Sequence, residues 1–152
     1  MAPTNIIRDA TTETAAAKPK RRRPVGSRRD IVIHAGRVVL RARLSPTPTA
    51  DRIWQALPLY TTAERRGDSV HFEIPIESGR EKGAKWTVTA GEIGFWCEED
   101  RIVIGFGPTP LSRPGEIRMP SPVNIWAICA DDVGQLRVLV GGERVAILHA
   151  DS

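Results

Sequence analysis

Cysteine is scarce. Cys97 and Cys129 are the only two in 152 residues, which excludes a disulfide-stapled secreted scaffold and leaves too few thiols for a zinc framework. A chain so built fits a reducing, cytoplasmic compartment. Long apolar runs are missing as well: the longest are strand-length, so no stretch reads as a membrane span, and no apolar segment follows the N-terminal basic cluster to complete a signal peptide. Histidine is limited to His34, His71 and His149. Together with the two cysteines they match no metal-ligand spacing, and all three fall at strand ends or on a polar strand face, so they are expected at the surface, with no metal and no other cofactor.

What is present points to one domain. Hydrophobic residues make up 41% of the chain, enough for one substantial core at this length. The net charge of +4 is unevenly placed. Residues 1–29 hold eight Lys and Arg against two acids, whereas the remainder holds fourteen against sixteen. That first segment, rich in Thr, Ala, Pro and basic residues, has little to pack and is expected to be a disordered tail, with the folded domain spanning 30–152. Lys18, Lys20, Arg21, Arg22 and Arg23 offer a weak nucleic-acid contact through counterion release; the alternative is a solvated extension. No membrane partner is expected.

From Ile31 to Leu44 apolar residues alternate around a turn at His34 to Gly36, which predicts a hairpin with one buried face. Between Pro46 and Pro58 the period changes. Thr47 or Thr49 can cap a helix, Pro48 fits its first turn, and Ala50, Ile53, Trp54 and Leu57 share one stripe. Further strands are predicted at Leu59 to Ala63, Ser69 to Pro75, Lys85 to Thr89, Glu92 to Trp96, Arg101 to Phe106, Val123 to Ala130 and Glu143 to His149, with a brief helix around Val133 to Leu139. In the Ser69 to Pro75 strand, Val70, Phe72 and Ile74 point in while His71 and Glu73 point out. Eight or nine short strands with one or two small helices predict a mainly β fold, a closed eight-stranded barrel, because closure removes exposed edges.

The most specific block is Gly91 to Trp96, a charged turn, Arg101 to Phe106, then Gly107-Pro108-Thr109-Pro110. Taken with Leu57-Pro58, Gly67-Asp68, Phe72, Ser121 to Asn124 and Gly142 to Ala146, it resembles a family of small prokaryotic cyclophilin-like proteins of largely uncharacterised function, over roughly Ile31 to His149. The resemblance implies a cyclophilin-type barrel capped by helices. It does not bring isomerase chemistry with it, because the arginine-centred Phe-His-Arg segment of cyclophilins proper is absent. Trp126 stands where the family more often has glycine.

The prolines at 108 and 110 stiffen a loop at a strand end, which reads as a binding rim. The candidate ligand-binding residues are therefore Trp96, Phe106, Gly107, Thr109, Pro110, Ser121 and Asn124. Thr109 and Asn124 are expected in one concave patch with Phe106 beside them, if the strands that bear them are neighbours. Asn124 interrupts an apolar strand and must find partners; it either satisfies the backbone of the Gly-Pro-Thr-Pro loop or offers its amide to a ligand. Cys97 stands before Glu98, Glu99 and Asp100, whose charges would raise its pKa and make it a poor nucleophile. The leading expectation is a binding module for a small molecule or an extended peptide, without prolyl isomerase activity. The alternatives are a divergent isomerase, a hydrolase-associated accessory barrel, or a nucleic-acid binder acting through the tail.

Overall fold

The computed structural model describes residues 29–150. The expected disordered tail and its basic cluster lie outside the described residues, except Arg29, which belongs to the barrel. Its carbonyl accepts from the Leu44 amide at 2.9 Å, and its guanidinium pairs with Asp51 at 2.6 Å.

Strands β1 (Asp30–Ala35) and β2 (Val38–Leu44) form the expected hairpin. Ile31, Ile33, Ala35, Val38, Leu40, Ala42 and Leu44 are buried on its inner face. Helix α1 (Pro48–Ala56) follows. The Thr47 side chain caps it by accepting from the Ala50 amide at 3.2 Å, Pro48 occupies the first turn, and Leu57 ends it ahead of Pro58. Ala50 and Ile53 enter the main core. Trp54, on the same stripe, lies edge-on against His149 with ring centroids 4.3 Å apart, which seats the helix by the start of β1 and the end of the last strand.

Next come β3 (Leu59–Thr62), β4 (Glu64–Arg66) and β5 (Ser69–Glu73). Between the predicted strands Leu59 to Ala63 and Ser69 to Pro75, Arg65 and Arg66 belong to β4, because Glu64 to Arg66 pair with His71 to Ser69 and only Gly67 and Asp68 remain to turn the chain. Then follow β6 (Lys85–Thr87), β7 (Glu92–Trp96), β8 (Arg101–Gly105), β9 (Arg118–Cys129), a 3-10 helix (Val133–Val138) and β10 (Arg144–His149). The strands run in the order β3-β10-β1-β2-β9-β7-β8-β5-β4, with β6 pairing outside this path on β9. Its two ends are consecutive in the chain, joined at Ala63, and the Thr61 hydroxyl donates to the Glu73 carbonyl at 2.6 Å across the seam. With β3 and β4 counted as halves of one bent strand, the barrel has eight strands and closes, as expected.

Inside, Phe72, Phe95, Ile93, Ile102, Ile104 and Trp126 fill the main core. Trp126 is fully buried and its indole N–H donates to the Gly94 carbonyl at 3.2 Å. A second apolar cluster of Val88, Val103, Met119 and Val123, with Trp96, Ile117 and Ile125 against it, lies on the outer face of β7 and β8. Gly94 permits this layer to come close, since a Cβ there would stand 2.7 Å from a Val123 methyl. The layer corrects one expectation. His71 points out of the barrel, as alternation required, yet it is only 1% exposed because the outer layer covers it. Its ring meets Trp96 edge-on at 5.8 Å. Period-two patterning assigns a face; it does not say whether another layer sits on it.

Candidate functional site

Asn124 organises one end of the barrel. Where β9 passes β7, Ala127 stands opposite Ile93 and Ile125 opposite Gly94, so a bulge adds a residue at Trp126 and resets the alternation. Asn124, opposite Phe95, thereby faces inward on an apolar strand. At 1% exposure its amide is fully engaged. The side-chain oxygen accepts from the Glu81 amide at 2.8 Å, while the nitrogen donates to Thr49 Oγ1 and the Gly79 carbonyl, each at 2.9 Å, and approaches Cys97 Sγ at 3.3 Å. Its backbone partners are thus in the segment around Gly79 to Glu81 and not in the Gly-Pro-Thr-Pro loop. Glu81 completes the tie by accepting from the amide and hydroxyl of Thr49, at 2.9 and 2.6 Å. This places its carboxylate at the N-terminus of α1, where the helix dipole favours negative charge.

The pinned segment forms one wall of a polar cleft of about 490 Å³. Ser78 and Gly79 line that wall, Cys97, Glu98 and Asp100 line the other, and Arg52 of α1 and Glu77 close it. Arg80 pairs with Glu98 at 2.6 Å and donates to Ser121 Oγ at 3.1 Å, and Ser121 donates in turn to Glu98 at 3.1 Å. Burial works against the Glu98 carboxylate, but hydrogen bonds from its own backbone amide, Ser121 and Arg80 outweigh it and hold the carboxyl below its ordinary range. Asp100 adopts φ +53°, a left-handed conformation that aspartate tolerates better than most residues. Burial first, and the Glu98 charge second, push the Cys97 thiol above its usual pKa. It is therefore a neutral thiol at neutral pH and a poor nucleophile. Among the described residues, no three of the His, Cys, Asp and Glu side chains converge to hold a metal.

The other candidate residues lie elsewhere. Phe106 follows the far end of β8, 6% exposed, with the Arg65 and Arg137 guanidiniums 5.0 and 5.3 Å from its ring centroid. Gly107 stands against Asp68 with no room for a Cβ, and the Pro108 carbonyl accepts from the Asp68 amide at 2.9 Å. Pro110 packs over Gly67. Thr109 Oγ1 donates to the Arg118 carbonyl at 2.5 Å and meets Ser112 Oγ at 3.2 Å. The rigid rim is a clasp closed on its own backbone.

Thr109 and Asn124 therefore do not share a patch. β9 begins at Arg118, not near Val123, because β6 pairs with its early part at Val123 and Arg118. Thr109 meets the strand at Arg118, and Asn124 lies six residues on, about 20 Å of extended chain. The register agrees. Asn124 faces Phe95, which faces Ile102 near the start of β8, whereas the clasp follows its end at Gly105. Of the seven candidates, Ser121 and Asn124 lie behind the walls of the cleft, bonded to Glu98 and to Gly79 and Cys97 respectively, Trp96 packs in the outer layer just before Cys97, and Phe106, Gly107, Thr109 and Pro110 form the clasp. Arg52, Glu77 and Asp100 were missed. Isolated charges in a helix, a loop and a turn carry no spacing signal that would join them.

An eight-stranded closed barrel, helix-capped and wrapped by a partial outer layer, defines the structural class. Residues 29–148 match the Cyclophilin-like family, and the chain belongs to it. The solved structures agree. The solution structure of the hypothetical protein AF2241 from Archaeoglobus fulgidus is similar at 28% identity and a TM-score of 0.70, covering 81% of this chain and 95% of that one. The structure of McbB in complex with tryptophan is similar in fold at 14% identity and a TM-score of 0.62, covering 80% of this chain and 45% of that one. Among curated proteins none matches significantly.

Proposed function

We propose that the protein is a binding module that takes a small molecule bearing both charges, an amino acid or a compact derivative, in the cleft between α1 and the turn joining β7 to β8. The observation that carries this reading is the charge of the cleft: Arg52, Glu77 and Asp100 line it, and none has an ion-pair partner among the described residues. Unpaired groups of both signs around one concavity favour a ligand that supplies the missing partners through charge-assisted hydrogen bonds. An extended peptide, the other occupant considered, would leave them facing a neutral backbone. Ser121 helps fix Glu98 by donating its hydroxyl to it, and Asn124 acts as the post that holds the wall in place. McbB has been solved with tryptophan, an amino acid of this charge pattern, and its resemblance in fold is consistent with such a ligand.

Binding proceeds without turnover in this reading. The Cys97 thiol is held up in pKa, the Asn124 amide is spent on structure, and Arg52 stands beside Ser, Gly and acidic side chains, not beside an apolar groove suited to a proline ring.

A thermal-shift series tests the ligand class, comparing tryptophan with tryptamine and indole-3-propionate, each of which lacks one charge. Tryptophan is expected to raise Tm, by an amount that grows with the excess over Kd and reaches about 2.7 kcal/mol of stabilisation at a hundredfold excess. Equal effects from all three, or none from any, would overturn the assignment. Isomerisation of a proline peptide in a protease-coupled assay would overturn the absence of turnover.

A further inference from the structure

Among the described residues, no layer covers the outer face of β3, β10, β1 and β2. Residues paired across antiparallel strands project to the same side, so the register sorts this face into rows. One row runs Tyr60, Ala146, His34, Val39. Tyr60 is 71% and Val39 43% exposed, and the ring of Tyr60 stands next to the small Ala146, with no aromatic partner among the described residues. One step toward the hairpin turn are Arg144, whose carbonyl accepts from the Gly36 amide at 2.9 Å, and Arg37. One step the other way is Arg41, in a row with Val32 and Leu148. Successive rows lie two residues apart, about 6.6 Å, and neighbouring strands about 4.8 Å apart, so Arg144 is on the strand next to Tyr60 while Arg41 stands three strands away, about 14 Å across the sheet.

Three guanidiniums on or beside this face are not ion-paired among the described residues. Arg65, Arg80, Lys85, Arg101, Arg118 and Arg137 of the other strands and loops are ion-paired, whereas Arg52, Arg66, Lys82 and Arg113 are not, among the described residues. Arg37, Arg41 and Arg144 have no acidic partner among the described residues. Of the acids nearby, one is neutralised by an ion pair and two accept from backbone amides and keep their charge. Asp30 pairs with Arg43 at 3.2 Å, Asp131 accepts from the Arg41 backbone amide at 2.8 Å, and Glu143 accepts from the Val140 amide at 2.7 Å. A concavity of about 640 Å³ opens between the first two rows, with Tyr60, His34, Thr62 and Arg144 around it.

We propose that this face binds single-stranded nucleic acid, with a base stacked on Tyr60 in the concavity, the adjacent phosphate held by Arg144 on the neighbouring strand, and the chain continuing across the sheet to Arg37 and Arg41. An exposed aromatic flanked by unpaired guanidiniums on an open sheet is what a single strand needs: a platform for the flat base and cations along its backbone. An acidic peptide would use the arginines and leave the tyrosine idle. A duplex keeps its bases stacked and would do the same.

Fluorescence anisotropy on the full chain tests this, using a labelled oligothymidylate of about 12 nucleotides at salt concentrations from about 50 to about 200 mM. Tyr60→Ala is expected to weaken binding about tenfold. Arg41→Ala with Arg144→Ala is expected to lower the slope of log affinity against log salt by about 1.4, at about 0.7 for each phosphate that is no longer neutralised. All three side chains are exposed, so both variants should melt with the wild type, and a melt on the same samples checks it. Affinity and slope unchanged in both variants would overturn the proposal and assign any binding to the basic residues ahead of Arg29. A duplex of the same length bound as tightly as the single strand, or no binding at the lowest salt, would overturn it as well.

Discussion

Asn124 Nδ2 donates to Thr49 Oγ1 at 2.9 Å, joining a barrel strand to the first turn of α1 across 75 positions of sequence, with both residues buried. Thr49 passes the tie to Glu81, and Asn124 takes the Glu81 amide. The wall of the cleft is thus set by a closed ring of hydrogen bonds among three residues that sequence spacing does not connect.

Breaking that ring costs stability. Asn124→Ala leaves the Glu81 amide and the Gly79 carbonyl without their buried partner, and a loss of about 1 to 3 kcal/mol is expected in urea unfolding. Thr49→Val should cost a similar amount. Because the two share partners, the double variant should lose less than the sum of the singles.

The clasp behaves differently from the cleft. Thr109→Val removes the donor to the Arg118 carbonyl and the hydrogen bond with Ser112. It is expected to lower stability by about 1 to 2 kcal/mol while leaving the affinity for tryptophan unchanged. A loss of affinity at constant stability would return Thr109 to the ligand site.

His71 supplies a pH dependence. Burial first, then the charges of Arg66 and Arg101, outweigh the nearby Glu64 and hold its pKa down at about 4, and its Nδ1 has no hydrogen-bond partner. In the unfolded chain the imidazole titrates near 6.5, so below that pH the unfolded state binds the extra proton. Stability is therefore full above about pH 6.5 and falls as pH drops toward about 4, by about 3 kcal/mol in all. Between about pH 6.5 and 5 the carboxylates remain largely ionised and the slope belongs to the histidine. Urea unfolding across that window should show the loss in wild type and not in His71→Leu.

Trp126 is the largest of the fully buried side chains. Fully buried and bonded to the Gly94 carbonyl, it fills the barrel interior, and Trp126→Gly should destabilise by about 3 to 5 kcal/mol or more through the cavity it leaves. Chemical unfolding checks this, and a variant as stable as wild type would mean that the neighbours collapse into the space.

Most of the barrel was legible in the sequence because most of its strands are half-buried. Val38 to Leu44 alternate in burial without a break, and Thr47-Pro48 mark the helix start by chemistry alone. The reading failed where a second layer or a bulge intervened. His71 faces outward and is buried under Trp96 and its neighbours, which no local pattern encodes. β9 continues back to Arg118 through Pro120 and Pro122 because its early part pairs with β6, so the proline signal for a strand start misplaced it. That displacement separated Thr109 from Asn124. Asn124 was conspicuous as a polar break in an apolar run, but its partners at Gly79, Glu81 and Thr49 depend on which loop the fold lays against it, and the unpaired charges of Arg52, Glu77 and Asp100 become a group only in three dimensions.

The central claim is that the cleft beside Asn124 binds a zwitterionic small molecule through its unpaired charges, and calorimetric titration of tryptophan into the full-length wild type and into Arg52→Glu tests it most directly. Arg52 is exposed, so the variant keeps the fold. The account predicts saturable binding at one site per chain in the wild type, weakened about tenfold or more by the charge reversal, as expected when a charge-assisted hydrogen bond is removed. Equal affinity in the two proteins, or no saturable heat in the wild type, would contradict it.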